Sequence, residues 1–439
     1  MTLSIHASAD VHGARPVARG LASGWGLLVA VALLFFVSGG LLWEAGYNYD
    51  GLSGAAATKV HPFTYAILSV AGWRAFARGN PFGFAARVCD RTPAAVFMIF
   101  AALVVLATAA ARGGAGLAGI IDTFVGPAVL AALVAQSDER SMRRLETLLH
   151  VAMAANALLG LFEFASKTLT FPYRFDGATF ESDARSTAFQ GHPLANAAIT
   201  CVYILALIGG AHRIPRGVKA CLVALQCAAL VIFGGRTAIV VTLGVACAHL
   251  VLRAARALRA GRVSLVSAAA ALALAPILAI AVTAVVASGS LDAILLRFSF
   301  DGGSANARAE MFDLFQYFSL MDLIVGPDQA YLESLRRING LEWGIENPFV
   351  RMILYNGAFF TLLLAVAVIA FLREGVRGRE SGIWLPMLAL TIILNASESI
   401  ASKTTILAKL VVVFVCLYHE VRKPAAPVNA VRTLTPRRR

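Results

Sequence analysis

Four arginines and one glutamate stand where polar segments meet long apolar runs. Arg185 opens Arg-Ser-Thr-Ala-Phe-Gln-Gly-His-Pro-Leu-Ala-Asn, Arg236 follows two glycines in Phe-Gly-Gly-Arg-Thr-Ala, Arg308 trails the Gly302-Gly303 pair, and Arg351 lies just beyond Glu346-Asn347-Pro348. A guanidinium offers a planar fork that matches phosphate oxygens, so arginines converging at a membrane surface suit a diphosphate. A carboxylate such as Glu346, with a reference pKa of about 4.3, is ionised at neutral pH and can take a proton from a hydroxyl. Plainer roles compete with these. The arginines could pair with lipid headgroups or with acids such as Asp183 and Glu310. Glu346 could cap the helix that begins at Pro348, or pair with Arg351.

Smaller candidates surround them. His192, beside Pro193, is a substrate contact or a loop-packing residue, and Asn347 is a possible substrate contact. Asp122 and Glu163 interrupt apolar runs, where an ionisable group is a functional candidate by default, though each is near a helix end. His61 is an interfacial residue or a site member, and Lys403 and Glu398 are expected to pair at the surface. The six cysteines show no CxxC or metal-ligand spacing, and no Asp-x-Asp cluster falls in an outer loop, so neither metal nor cofactor is expected.

The elements that position these residues are dictated by composition. Hydrophobic residues make up 59% of the chain and charged residues 14%, against roughly a quarter charged in an ordinary soluble domain. Apolar runs of about 20 residues are long enough to cross a hydrocarbon core. Windows of that length predict about twelve spans, near 24–42, 60–77, 94–111, 117–135, 145–166, 194–211, 218–233, 237–252, 264–288, 349–371, 382–397 and 404–420. The net charge of +13 does not point to nucleic acid. Its arginines cluster in alternate short loops (Arg74 to Arg91, Arg140 to Arg144, Arg213 to Lys219, Arg253 to Arg262, Arg373 to Arg379), as cytoplasmic loops require. The chain therefore divides into a cytoplasmic segment 1–23, a polytopic domain 24–420 with a large periplasmic loop 289–347, and a basic disordered cytoplasmic tail 421–439. The large loop is expected to carry short helices over the site.

In their order, these segments resemble the O-antigen ligase and Wzy polymerase superfamily. Gly234-Gly235-Arg236-Thr237-Ala238 is similar to that family's small-small-Arg turn, and the stretch from Arg185 to Asn196 resembles its Arg-x-x-Gly-x-x-x-x-Pro-Asn region. The Arg308 segment closing at Gly326-Pro327 is similar to the loop before the family's signature helix, His-Asn, nine residues, Gly. Here that signature reads Glu346-Asn347, nine residues, Gly357, with Glu in place of His. A finer likeness, to exopolysaccharide polymerases of the VpsF kind, rests on Lys59-Val60-His61-Pro62.

The resemblance implies an inverting, metal-independent glycosyltransferase of the bacterial inner membrane. It would take a glycan from undecaprenyl diphosphate at the periplasmic face and join it to a second lipid-linked sugar or another lipid acceptor, alongside other polysaccharide-export proteins. Arg185, Arg236 and Arg308 would hold the diphosphate, and Glu346 would act as base on the acceptor. Polymerase and ligase share a donor and stay unseparated. A flippase or transporter of the precursor, or a non-enzymatic scaffold, are the rivals. The absence of internal repeats and the one-sided charges weigh against transport.

Overall fold

The computed structural model describes residues 15–51, 54–77, 79–113, 116–175, 178–179, 185–261, 311–341, 345, 347–396 and 400–418. In chain order the helices are α1 (Arg15–Phe36), α2 (Gly39–Glu44), α3 (Pro62–Ala77), α4 (Pro81–Arg91) and α5 (Pro93–Ala111). Next come α6 (Leu117–Val134), α7 (Glu139–Ser166), α8 (Pro193–Gly209), α9 (Arg216–Phe233) and α10 (Arg236–Arg259). The last described part holds α11 (Leu320–Val325), α12 (Gln329–Ile338), α13 (Pro348–Asn356), α14 (Ala358–Val376), α15 (Trp384–Ala396) and α16 (Ile406–Leu417). Among the described residues the only β pairing is a two-residue antiparallel ladder between Arg174–Phe175 and Ala178–Thr179. Among the described residues six helices, α5, α6, α7, α9, α10 and α14, are long and apolar enough to cross a membrane.

Hydropathy located the helices but not their interruptions. The run expected at 349–371 is two helices, α13 and α14, because the chain turns at Gly357 with φ +91°. The 24–42 run breaks after Phe36, and Ser38 caps the short α2 by accepting from Leu41 N–H at 3.2 Å. Helix α6 carries a π turn over Ile121–Val125, which holds Asp122. The 264–288 run lies outside the described residues. Within the large loop, α11 and α12 are short helices as expected, and they share a small core with α13 built on Leu332, Leu335, Val350 and Leu354.

Side-chain contacts distinguish the two ends of the bundle. At one end Arg74 donates to Leu133 O at 2.8 Å, Arg213 pairs with Glu146 at 3.1 Å, and Arg379 donates to Tyr418 O at 2.7 Å. At the other end lie Arg185, His192, Arg236 and the start of α3. Helix α8 is apolar over most of its surface and buried along its length, as a central helix must be. The peripheral α5 and α10 turn Phe100, Leu103, Val240 and Leu243 outward, where a bilayer would cover them.

A polar seam runs between α7, α8 and α9. Glu146, Met153, Asn156 and Glu163 recur on α7 at heptad a and d spacing, which keeps them on one stripe. From the basic end upward the seam holds Glu146 with Arg213, His150 with Tyr203 at 2.5 Å, Gln226 Nε2 on Met153 O at 2.9 Å, and Asn156 with Asn196 at 2.9 Å. It ends at Glu163.

Candidate functional site

Glu163 organises the segment that presents Arg185. Its carboxylate, buried one turn before the end of α7, accepts from Ser186 Oγ at 2.5 Å, Thr187 N–H at 3.0 Å, Ala188 N–H at 2.9 Å and Thr170 N–H at 2.8 Å. Asn196 Nδ2 donates to Thr187 O at 2.5 Å, and Asn156 Oδ1 accepts from Phe189 N–H at 3.1 Å. Thr187 Oγ1 donates to Phe171 O at 2.8 Å, tying the turn to the preceding strand of chain. A buried carboxyl group with this many donors is fully employed, and leaving any one of those buried donors without its partner costs about 1–3 kcal/mol. Glu163 and Asn196 are therefore anchors.

That turn brings Arg185 to Arg236. Gly234 adopts φ +65°, and a Cβ placed on it would lie 3.0 Å from Arg185 Cδ and 3.5 Å from Cγ. The aliphatic stem of Arg185 thus lies over the Gly234 turn, two residues before Arg236. A Cβ on Gly235 would meet that of Ala197 at 2.4 Å, so the second glycine lets the turn close against α8. Arg236 is the first residue of α10, a helix of 24 residues whose N-terminus adds its own partial positive charge. Both arginines are half-buried. Two arginine side chains beside a helix N-terminus supply positive charge and donors of the kind that suit an anion.

His192 caps α8, its Nδ1 accepting from Leu194 N–H at 3.2 Å, and its ring meets Tyr173 edge to face at 4.6 Å. On α13 the Arg351 guanidinium sits 5.6 Å from the Tyr355 ring centroid. Tyr355 is held by Glu333 and Arg336 of α12, donating to Glu333 Oε1 at 2.6 Å and accepting from Arg336 Nη1 at 2.6 Å. Neither Glu333 nor Arg336 was singled out in the sequence.

Asn347 caps α13, accepting from Phe349 N–H at 2.9 Å and Val350 N–H at 3.1 Å. It fills the capping role considered for Glu346. Gly357, at the far end of the nine-residue spacing, lies against the Gly326 turn: an added Cβ would be 2.5 Å from Val325 C and 2.6 Å from Gly326 N. The two expected glycines thus meet. Arg308 and Glu346 lie outside the described residues.

A second polar cluster gathers His61, Asp122 and Lys403. Asp122 accepts from His61 N–H at 3.0 Å and from Thr64 Oγ1 at 2.7 Å, and His61 Nε2 donates to Val37 O at 2.9 Å. Lys403 was expected to pair with Glu398, which lies outside the described residues. Lys403 faces Asp50 at 3.6 Å and the Tyr49 ring at 3.4 Å, and donates to Tyr49 O. Burial pushes the Asp50 pKa up and that of Lys403 down, and each charge opposes the shift of the other. Lys409, buried in α16, escaped the sequence reading; its signal was a lone cation inside the run Ile-Leu-Ala-Lys-Leu-Val. Asp122 and Thr123 tie the π turn of α6 to α3 and, through Ser402 O and Thr404 N–H, to the start of α16. No family model, curated protein or solved structure matches the chain.

Proposed function

We propose that the protein is an inner-membrane glycosyltransferase acting on glycan carried by undecaprenyl diphosphate, as a polymerase or, alternatively, as a ligase to another lipid acceptor. One observation carries the reading: the stem of Arg185 lies over the Gly234 turn beside Arg236 at the N-terminus of α10. In this reading the pair neutralises the departing lipid diphosphate, the largest charge that develops when the anomeric bond breaks. Arg308 assists, and Glu346 takes the proton of the attacking hydroxyl, giving inversion without a metal. About twelve spans with both termini in the cytoplasm put this end of the bundle at the periplasmic face.

The test is to measure undecaprenyl diphosphate binding by the purified protein in nanodiscs. Arg236→Ala and Arg236→Lys should both weaken it by about tenfold or more, since Lys keeps the charge but loses the fork. Binding by the well-folded Ala variant at wild-type strength would remove Arg236 from the site.

The polar seam along α7 favours a second reading, transport of the precursor or of protons, because it sets Glu146, His150, Gln226 and Asn156 across the bundle between the basic end and Glu163. Purified protein in liposomes separates the two. A transporter moves glycolipid or protons without making a new glycosidic bond; a transferase makes the bond without requiring a gradient.

A further inference from the structure

At the basic end of the bundle, α4 turns an apolar face outward. Pro81 at its first position and Asn80, which accepts from Gly83 N–H at 2.7 Å, start the helix. Phe82, Ala85, Ala86 and Cys89 recur at helical spacing, so they share one face, and all four are exposed, Phe82 to 87%. Phe84 packs on the hydrophobic core from the opposite side, and Arg87, Asp90 and Arg91 form a polar edge between the two. Both ends of α4 stand at one level. The helix follows the last turn of α3, whose Arg74 donates to Leu133 O at 2.8 Å, and its own last residue, Arg91, donates to Ala135 O at 3.3 Å. Leu133 and Ala135 both belong to the closing turn of α6, so α4 runs across the end of the bundle and not along it.

Tryptophans mark the same level. The Arg144 guanidinium lies 5.2 Å from the Trp25 ring centroid, Trp73 directly precedes Arg74, and Trp384 opens α15 after Arg379, which donates to Tyr418 O. All three rings are exposed, and exposed tryptophans at the ends of apolar helices sit where hydrocarbon gives way to headgroups. Phe76, in the last turn of α3, is exposed too and leads into α4. The apolar face of α4 thus continues a belt that a bilayer would cover. Charge narrows the occupant further: residues 78–91 hold Arg78, Arg87 and Arg91 against the single acid Asp90, an excess that anionic headgroups answer and zwitterionic ones do not. We propose that α4 is an in-plane interfacial helix, with its Phe82 face in the acyl boundary of anionic phospholipid and Arg87 and Arg91 toward the phosphates. This surface lies at the end of the bundle away from the arginine pair, and the inference stands whether the protein transfers glycan or transports it.

The experiment measures depth in the full chain, held in phosphatidylglycerol nanodiscs. The exposed Cys89, Cys221, Cys227 and Cys247 are replaced by alanine, and a nitroxide is attached in turn to Phe82→Cys, Ala86→Cys, Asp90→Cys and Val240→Cys, the last a mid-span reference on α10. Collisions with oxygen, which enters the acyl chains, are compared with collisions with a neutral nickel chelate, which stays in water. Phe82→Cys and Ala86→Cys should show an oxygen-to-nickel ratio at least about threefold above that of Asp90→Cys and lie roughly 5–10 Å below the headgroup surface. In phosphatidylcholine nanodiscs, or with Arg87→Gln and Arg91→Gln together in phosphatidylglycerol, the ratio at Phe82→Cys should fall by about twofold or more while Val240→Cys, which reports insertion, stays constant. A label at Phe82→Cys as open to nickel as one at Asp90→Cys overturns the seat in the membrane. Shielding of Phe82→Cys from both reagents also overturns it, because protein, either the segment before Arg15 or a second copy, then covers the face. A ratio unchanged by both the lipid and the arginine substitutions overturns the assignment of anionic lipid.

Discussion

Single residues in the proposed site divide into the two arginines and the groups that hold them. Arg185 and Arg236 were marked in the sequence as charges where polar segments meet apolar runs, Arg236 beside paired glycines; that the Arg185 stem lies over the Gly234 turn was not. Glu163 was visible only as an acid in an apolar run. Its task depended on contacts with residues 170 and 186–188, which no local spacing encodes. The assignment makes a prediction of its own. Glu163→Ala strands three backbone N–H groups and the Ser186 hydroxyl in a buried turn, each at a cost of about 1–3 kcal/mol. It should lower the unfolding temperature in detergent, and the milder Glu163→Gln should weaken diphosphate binding through disorder of Arg185. A Gln variant with wild-type binding and stability would show that the turn holds without the carboxylate. Lys403 teaches the complement: its neighbours Asp50 and Tyr49 are some 350 positions away in the chain, where no local spacing points to them.

Among elements, the helices themselves were readable and their interruptions were not. A span must collect about 20 apolar residues whatever its neighbours do, so hydropathy finds it. The π turn at Asp122, the break after Phe36 and the turn at Gly357 are each set by a partner elsewhere in the fold. Asp122 answers the N–H of His61; the 191 turn meets Ser38, where an added Cβ on Gly191 would approach Ser38 Cβ to 2.9 Å; Gly357 meets Gly326. The Gly357 contact separates α13 from α14 and so sets where Arg351 points. Gly357→Ala places a Cβ in backbone atoms of the facing turn at φ +91°, a conformation costing about 1–3 kcal/mol for a non-glycine residue even without the clash. We expect this variant to lose activity while α14 still inserts, measured as a folded, membrane-extracted protein without product formation. Full activity would mean that α13 and α14 are not held through this contact.

For the whole molecule, the distribution of arginines is a statement about orientation. The loops rich in arginine all fall at one end of the bundle, and the arginine pair, His192 and Arg351 fall at the other. If the basic end faces the cytoplasm, a phosphatase fused after Gly326 should be active and one fused after Arg377 inactive; the reverse pattern would turn the candidate site toward the wrong compartment. The seam across α7, α8 and α9 was hidden in the sequence because Asn156, Asn196 and Gln226 are uncharged and scattered over three helices. It gives the transport reading a physical basis that the charge pattern alone did not. The decisive measurement is therefore bond formation. Purified protein in liposomes is incubated with the diphosphate-linked glycan from its host, without a gradient or a metal, and the products are sized. The account predicts longer or transferred glycan together with released undecaprenyl diphosphate, lost in Arg236→Ala and slowed by about two to four orders of magnitude in Glu346→Gln. Glycolipid recovered unchanged in size, with or without movement across the bilayer, would contradict it.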